Sequence, residues 1–90
     1  MAHSAILNWV ASVDVIDGYN VYRRDTASGV PTKLNTALVS GTTFTDTTIG
    51  VGDYFYFVRS SKDGIESVDS NQATAVVLPA PPTNLVVSVT

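Results

Sequence analysis

Apolar and polar residues alternate along this chain in short runs, and turn-forming residues separate the runs. No window sustains the 3.6-residue period of a helix, so the pattern predicts an all-β domain of short strands. Residues 5–10 alternate, with Ala5, Leu7 and Trp9 on one face. "DVIDG" (14–18) predicts a loop. Residues 19–24 predict a second strand, with Tyr19 and Val21 on one side and Asn20, Tyr22 and Arg24 on the other. Gly29 and Pro31 then break the chain. Residues 33–35 predict a short edge strand, and Leu38 and Val39 another short piece. Residues 42–47 are β-branched around Phe44 and predict the next strand, and "GVGD" (50–53) a corner. "YFYFVRSS" (54–61) is the strongest strand signal in the chain. Asp63-Gly64 signals a tight turn, and residues 72–78 a further strand. Pro79, Pro81 and Pro82 end it, because proline cannot donate to a ladder. Beyond them Leu85, Val87 and Val89 alternate once more. A proline-led strand, the usual opening of a domain, stands at the end of the chain.

Ninety residues with 44% hydrophobic content supply one core. A domain of this size buries only about 60–65% of its unfolded surface, so a stability of about 5 kcal/mol is expected. Five Lys/Arg stand against eight Asp/Glu, a net charge of −3 with no basic cluster. That argues against a nucleic-acid footprint or attraction to an anionic membrane. No apolar run approaches the ~18 residues of a membrane helix. Met1-Ala2-His3-Ser4 lacks the charged and apolar parts of a leader and reads as the start of a fragment excised from a longer protein. Cysteine is absent, which removes disulfides and thiol chemistry.

Catalytic and metal-binding patterns are weak throughout. His3 is the lone histidine and has no partner for a metal or a nucleophilic triad. Asp63, Glu66 and Asp69 are three carboxylates without the spacing of a calcium loop, and read as a solvated turn. Asp14 and Asp17 lack the cleft that acid–base work requires. "GVG" (50–52) lacks the lysine and the following helix of a phosphate loop. No Arg-Gly-Asp and no Asn-x-Ser/Thr sequon occurs. No enzyme activity, cofactor or metal is expected. The 54–61 strand suggests more. If Tyr54, Tyr56, Val58 and Ser60 face inward, then Phe55, Phe57 and Arg59 face outward, beside Tyr22 and Arg24. Two readings stay open for that face: an aromatic–arginine contact surface for protein or glycan, or rings simply covered by long side chains.

The series "HSAILNWVAS…GYNVYRR…TKLN…GTTFTDTTI…GDYFYFVRSSKDGIES…SNQATAVVL" resembles a bacterial-style fibronectin type III domain over residues 4–78. No single motif is specific; the order and spacing are. The resemblance implies an all-β, immunoglobulin-like, two-sheet antiparallel sandwich of strands A-B-E against C′-C-F-G. It also implies that Leu7, Trp9, Tyr19, Val21 and Tyr54 are structural core residues, with Tyr54 the candidate for a tyrosine corner that bonds back to the backbone. The chain departs from the pattern in two ways. The corner before Tyr54 looks one residue short, and strand A is missing from the start. Residues 1–78 are then the sandwich, strands B to G, and residues 79–90 a proline linker plus an A-like strand.

Three readings of that strand stay open: the first strand of a following module in a tandem array, a strand given to a neighbouring copy, or a permuted strand of its own domain. Geometry weighs against the last. In this fold, strand A starts at the pole opposite the end of strand G, roughly 25–30 Å away. Six steps from Leu78 to Asn84 span at most ~20 Å. An unfilled site would leave strand B as a bare edge beside Leu7 and Trp9, and burying Leu85 and Val87 would contribute roughly 1.5–3 kcal/mol each. The expectation is a non-catalytic structural or protein-interaction module of a secreted or cell-surface protein, forming concentration-dependent oligomers through Leu85, Val87 and Val89. The alternative that the resemblance implies is a carbohydrate-associated accessory domain of a polysaccharide-degrading enzyme, with Tyr22, Phe55, Phe57 and Arg59 as the contact face.

Overall fold

Seven strands form from the alternating runs: β1 (His3–Asn8), β2 (Gly18–Arg24), β3 (Thr32–Lys33), β4 (Thr43–Ile49), β5 (Gly52–Lys62), β6 (Ile65–Glu66) and β7 (Ala73–Val77). They belong to a computed structural model that describes residues 3–90. The strands build two antiparallel sheets. One holds β1 and β4; the other runs β3-β2-β5, with β6 and β7 sharing the far edge of β5. The fold is an immunoglobulin-like sandwich whose first sheet has two strands where three are usual.

Local chemistry explains the connections. Asp63 and Gly64 both take positive φ, 53° and 79°, the backbone of a two-residue primed turn, and so join β5 to β6 as a hairpin. Gly52 starts β5 at φ 141°, a conformation that L side chains rarely adopt. Leu38-Val39 makes a single bridge to Tyr19 rather than a strand. Asn35 holds the nearby loop: its side-chain oxygen accepts from the Val21 amide at 2.8 Å, and its Nδ2 donates to Asn20 Oδ1 and to the Ala37 carbonyl.

Tyr19, Val21 and Val58 are the centre of the core, with Leu7, Trp9, Ile16, Leu34, Val39 and Phe44 packed around them. Trp9 meets Tyr19 edge-on, with centroids 5.4 Å apart. Leu7 and Trp9 stay only half-buried because, among the described residues, no strand pairs with the outer side of β1. Tyr54 sits outside this cluster, at the end of the sandwich where β4 turns into β5. It is therefore a half-buried end residue rather than one of the core, and its hydroxyl accepts from the Gly50 amide at 3.1 Å.

Beyond Val77 the chain forms no strand. Leu85, Val87 and Val89 are 80–91% exposed, and Asn84 turns the backbone with φ 59° just before them. The longest dimension is 72 Å, about twice the ~36 Å that the eleven-residue β5 spans, so the tail projects from the sandwich. It does not return to its own domain.

Candidate functional site

The open edge of β1 follows from its pairing. Leu7 sits opposite Phe44, and the Trp9 amide bonds the Thr42 carbonyl at 3.0 Å. Backbone groups alternate along a strand, so those of Ile6 and Asn8 face away from β4, where no strand of the described residues pairs with them. Beside this edge a groove opens between the sheets. Its lower part encloses about 250 Å³, walled by Leu7 and Trp9 on one side and by Tyr56, Val58, Ala73 and Ala75 on the other. Its upper part, about 500 Å³, continues past Trp9 between Val10 and Val68. Asn8, Trp9, Val58, Ser70 and Asn71 line both parts, so the groove is continuous.

Register gives the groove a direction. His3 pairs near Ile49, and Val77 pairs with Gly52, so β7 ends at the pole where β1 begins. Trp9 lies at the other pole, against Tyr19, which pairs with Ser60. A strand antiparallel to β1 therefore enters beside Trp9 and leaves beside His3.

The outer face of β2 and β5 differs from the contact surface that an exposed aromatic–arginine patch would make. Tyr22 and Phe57 stack with centroids 5.1 Å apart, and the Arg24 and Arg59 guanidiniums lie 4.4 Å and 5.2 Å from the Phe57 centroid. This packing leaves Phe57 2% exposed, so it presents no ring to a sugar or a partner. Arg59 also covers Tyr22 at 4.8 Å, while Phe55 is half-buried. Carboxylates complete the cover. Asp69 accepts from Arg59 Nε at 2.7 Å and lies 3.6 Å from Arg24 Nη2. Glu66 accepts from the Tyr22 hydroxyl, from Asn20 Nδ2 at 2.8 Å and from Arg59 Nη1 at 3.2 Å. The Tyr22 bond does most to hold the Glu66 carboxyl below its ordinary range, against burial and with help from Asn20 and Arg59. Burial, then Glu66, pushes the Tyr22 hydroxyl up. The acidic residues of the β6 region thus serve arginines. Long side chains cover the rings, and the face satisfies itself.

A second polar group lies where no site was predicted. Asp46 on β4 is 3% exposed, and it bridges the two sheets. It accepts from Arg23 Nη1 and the Tyr56 hydroxyl, both at 2.9 Å, and from Thr48 Oγ1 at 2.6 Å and the Thr48 amide at 3.0 Å. Burial alone would push its carboxyl up, but the Thr48, Tyr56 and Arg23 hydrogen bonds outweigh it and hold the carboxyl below its ordinary value. Burial and the Asp46 bond push the Tyr56 hydroxyl well above its ordinary value. Arg23 also lies under the Tyr54 ring, 5.1 Å from its centroid. The signal for this group was the period of two: Phe44 and Asp46 share the inward face of β4.

No family model matches the chain, and no curated protein matches it. Among solved structures, it is similar to a Fn3-like protein from Clostridium thermocellum, with a TM-score of 0.73 and 28% identity. The likeness covers 89% of this chain and 81% of that one. With Trp9 and Tyr19 in the core and two antiparallel sheets in this order, the chain has a fibronectin type III-like fold.

Proposed function

We propose that this domain is a non-catalytic assembly module that gives its C-terminal strand to the open β1 edge of another copy. One observation carries the reading: an unpaired edge of six residues lies beside an apolar groove, and an unpaired alternating segment of six residues, 85–90, leaves its own domain. Leu85, Val87 and Val89 have the period to face Leu7 and Trp9, while Val86, Ser88 and Thr90 face solvent. The added backbone would bond Ile6 and Asn8, a case of β-strand addition.

The register supports exchange between copies rather than closure on itself. From Val77, opposite Gly52, to the Trp9 pole, level with Ser60, is eight steps along β5, about 26 Å. The eight steps from Val77 to Leu85 span about 26–29 Å only when fully extended, the chain must also cross the ~10 Å between the sheets, and residues 79–82 are three-quarters proline, so closure on its own domain leaves no slack. A neighbour placed end to end removes the need for a fully stretched link. Such a contact joins different surfaces of the two copies, so it propagates head to tail. Ordering the tail offsets much of the gain from burying it, so the association is weak.

Sedimentation velocity on the full chain, from about 10 µM to about 1 mM, tests this. The chain is expected to grow in mass with concentration, and Leu85→Asp/Val87→Asp to stay monomeric. A free peptide of residues 83–90 should bind that variant and shift the emission of Trp9, the single tryptophan, which borders the groove. A monomeric full chain, or a peptide without effect, overturns the proposal.

A further inference from the structure

Strand exchange occupies only the lower groove. The upper part is left over; its lining mixes serines, Asn71 and Asp69 with apolar groups, of which Val10, 93% exposed, and Val68, 88% exposed, are the most open to solvent. Val13 and Val15 on the same loop are exposed as well. These valines are held in place. The Ser12 amide donates to the Tyr19 hydroxyl at 2.8 Å and the Asp17 amide to the Ser61 carbonyl at 2.8 Å; Asp17 Oδ2 in turn accepts from the Asp63 amide. The loop is anchored by these hydrogen bonds and by Ile16, which packs on the core, and it presents its valines outward.

We infer that the cleft between Val10 and Val68 seats the proline segment, residues 79–82, of the preceding copy. This rests on the strand-exchange reading and adds a second contact to it. A strand entering antiparallel to β1 arrives at the Trp9 pole, so the residues just before it must cross the pole that Val10 and Val68 flank. The chemistry of the segment fits that crossing. Pro79, Pro81 and Pro82 have no N–H to leave unpaired against the two valines. Their fixed φ keeps the segment extended, so little ordering cost is added on docking. Asn84, already turned to φ 59°, redirects the chain from the cleft into the lower groove. The joint between consecutive copies is then a stiff proline strut against a fixed valine cleft, and it limits how far one copy swings on the next.

The test uses the full chain. Val68→Asp and Val10→Asp alter exposed side chains and should leave the fold intact, checked by thermal unfolding; Val30→Asp, on the exposed β2–β3 loop, is the control. Both cleft variants are expected to weaken association about ten-fold or more, while Val30→Asp matches the parent. The chain has no cysteine, so Val68→Cys combined with Pro81→Cys is expected to give a covalent head-to-tail ladder on oxidation. If the parent associates and the cleft variants match Val30→Asp, or the cysteine pair gives no ladder, this inference is overturned and strand exchange stands. If the parent is monomeric throughout, both fall.

Discussion

Replacing Asp46 with asparagine is the sharpest test of what holds the two sheets together. The substitution keeps the shape and removes the charge. It also turns a carboxylate that meets four donors into an amide, whose NH₂ must face donors itself. Breaking one side of a buried ion pair costs about 3–5 kcal/mol, chiefly because the partner charge is left uncompensated. Arg23 retains 17% side-chain exposure and has Asp25 Oδ1 3.3 Å from its Nε, in poor hydrogen-bond geometry. That partial relief places the expected loss near the lower end, about 3 kcal/mol. Against a stability of about 5 kcal/mol this removes most of the margin. At 4–8 °C per kcal/mol for a domain of this length, the unfolding midpoint should fall by roughly 12–24 °C. Urea unfolding followed by Trp9 fluorescence measures it directly, as a lower midpoint at unchanged slope. Asp25→Asn, whose partner is the same arginine but whose side chain is 75% exposed, should change stability by no more than about 0.5 kcal/mol. A loss below about 1 kcal/mol for Asp46→Asn, or equal losses for the two variants, would refute the assignment of Asp46 as the inter-sheet clamp.

Acid should remove the same interaction. Asp46 titrates below its ordinary value when folded, so its stabilisation is complete above about pH 4 and is lost as pH falls toward the folded pKa. Glu66, also lowered, adds to the same acid limb. Thermal midpoints measured downward from about pH 6 should therefore drop below about pH 4 in the parent and drop less in Asp46→Asn. A parallel decline in both proteins would show that other carboxylates govern the limb. On the β2–β5 face, Phe57→Ser is expected to cost about 3–5 kcal/mol, because the ring is enclosed by Tyr22, Arg24 and Arg59. Phe55→Ser should cost about 1 kcal/mol. Circular dichroism melts separate the two, and a folded, stable Phe57→Ser would mean that the ring is a surface group after all.

These outcomes mark where sequence reasoning reaches and where it stops. A period of two tells which side of a strand a residue takes, and it placed Tyr22, Phe57 and Arg59 on one face. It does not tell what covers that face. Phe57 is buried because arginines from β2 and β5 lie over it, drawn there by Glu66 on β6 and Asp69 just beyond it. The same limit hid Asp46. Its inward parity was readable beside Phe44, but a carboxylate pointing inward makes sense only once Arg23 and Tyr56 arrive from the opposite sheet. Strand existence is a local property. Partnering across sheets is not, and both surprises lie at such partnerships.

The clamp and the open edge are connected by what strand exchange demands of an acceptor. A domain that receives a strand must stay folded while its groove is empty, even though the groove lies along its own core. Here β1 is held by its ladder to β4, and β4 is fixed to β2 and β5 through Asp46. The two-stranded sheet is thus fastened to its partner by polar bonds in the interior, independent of the edge where a third strand would lie. An apolar contact in place of Asp46 would leave the sheets free to slide together and close the groove. The short directional bonds to Arg23, Tyr56 and Thr48 set one spacing. On this argument the charge is retained for position as much as for stability, and weakening it should lower strand acceptance along with the melting temperature.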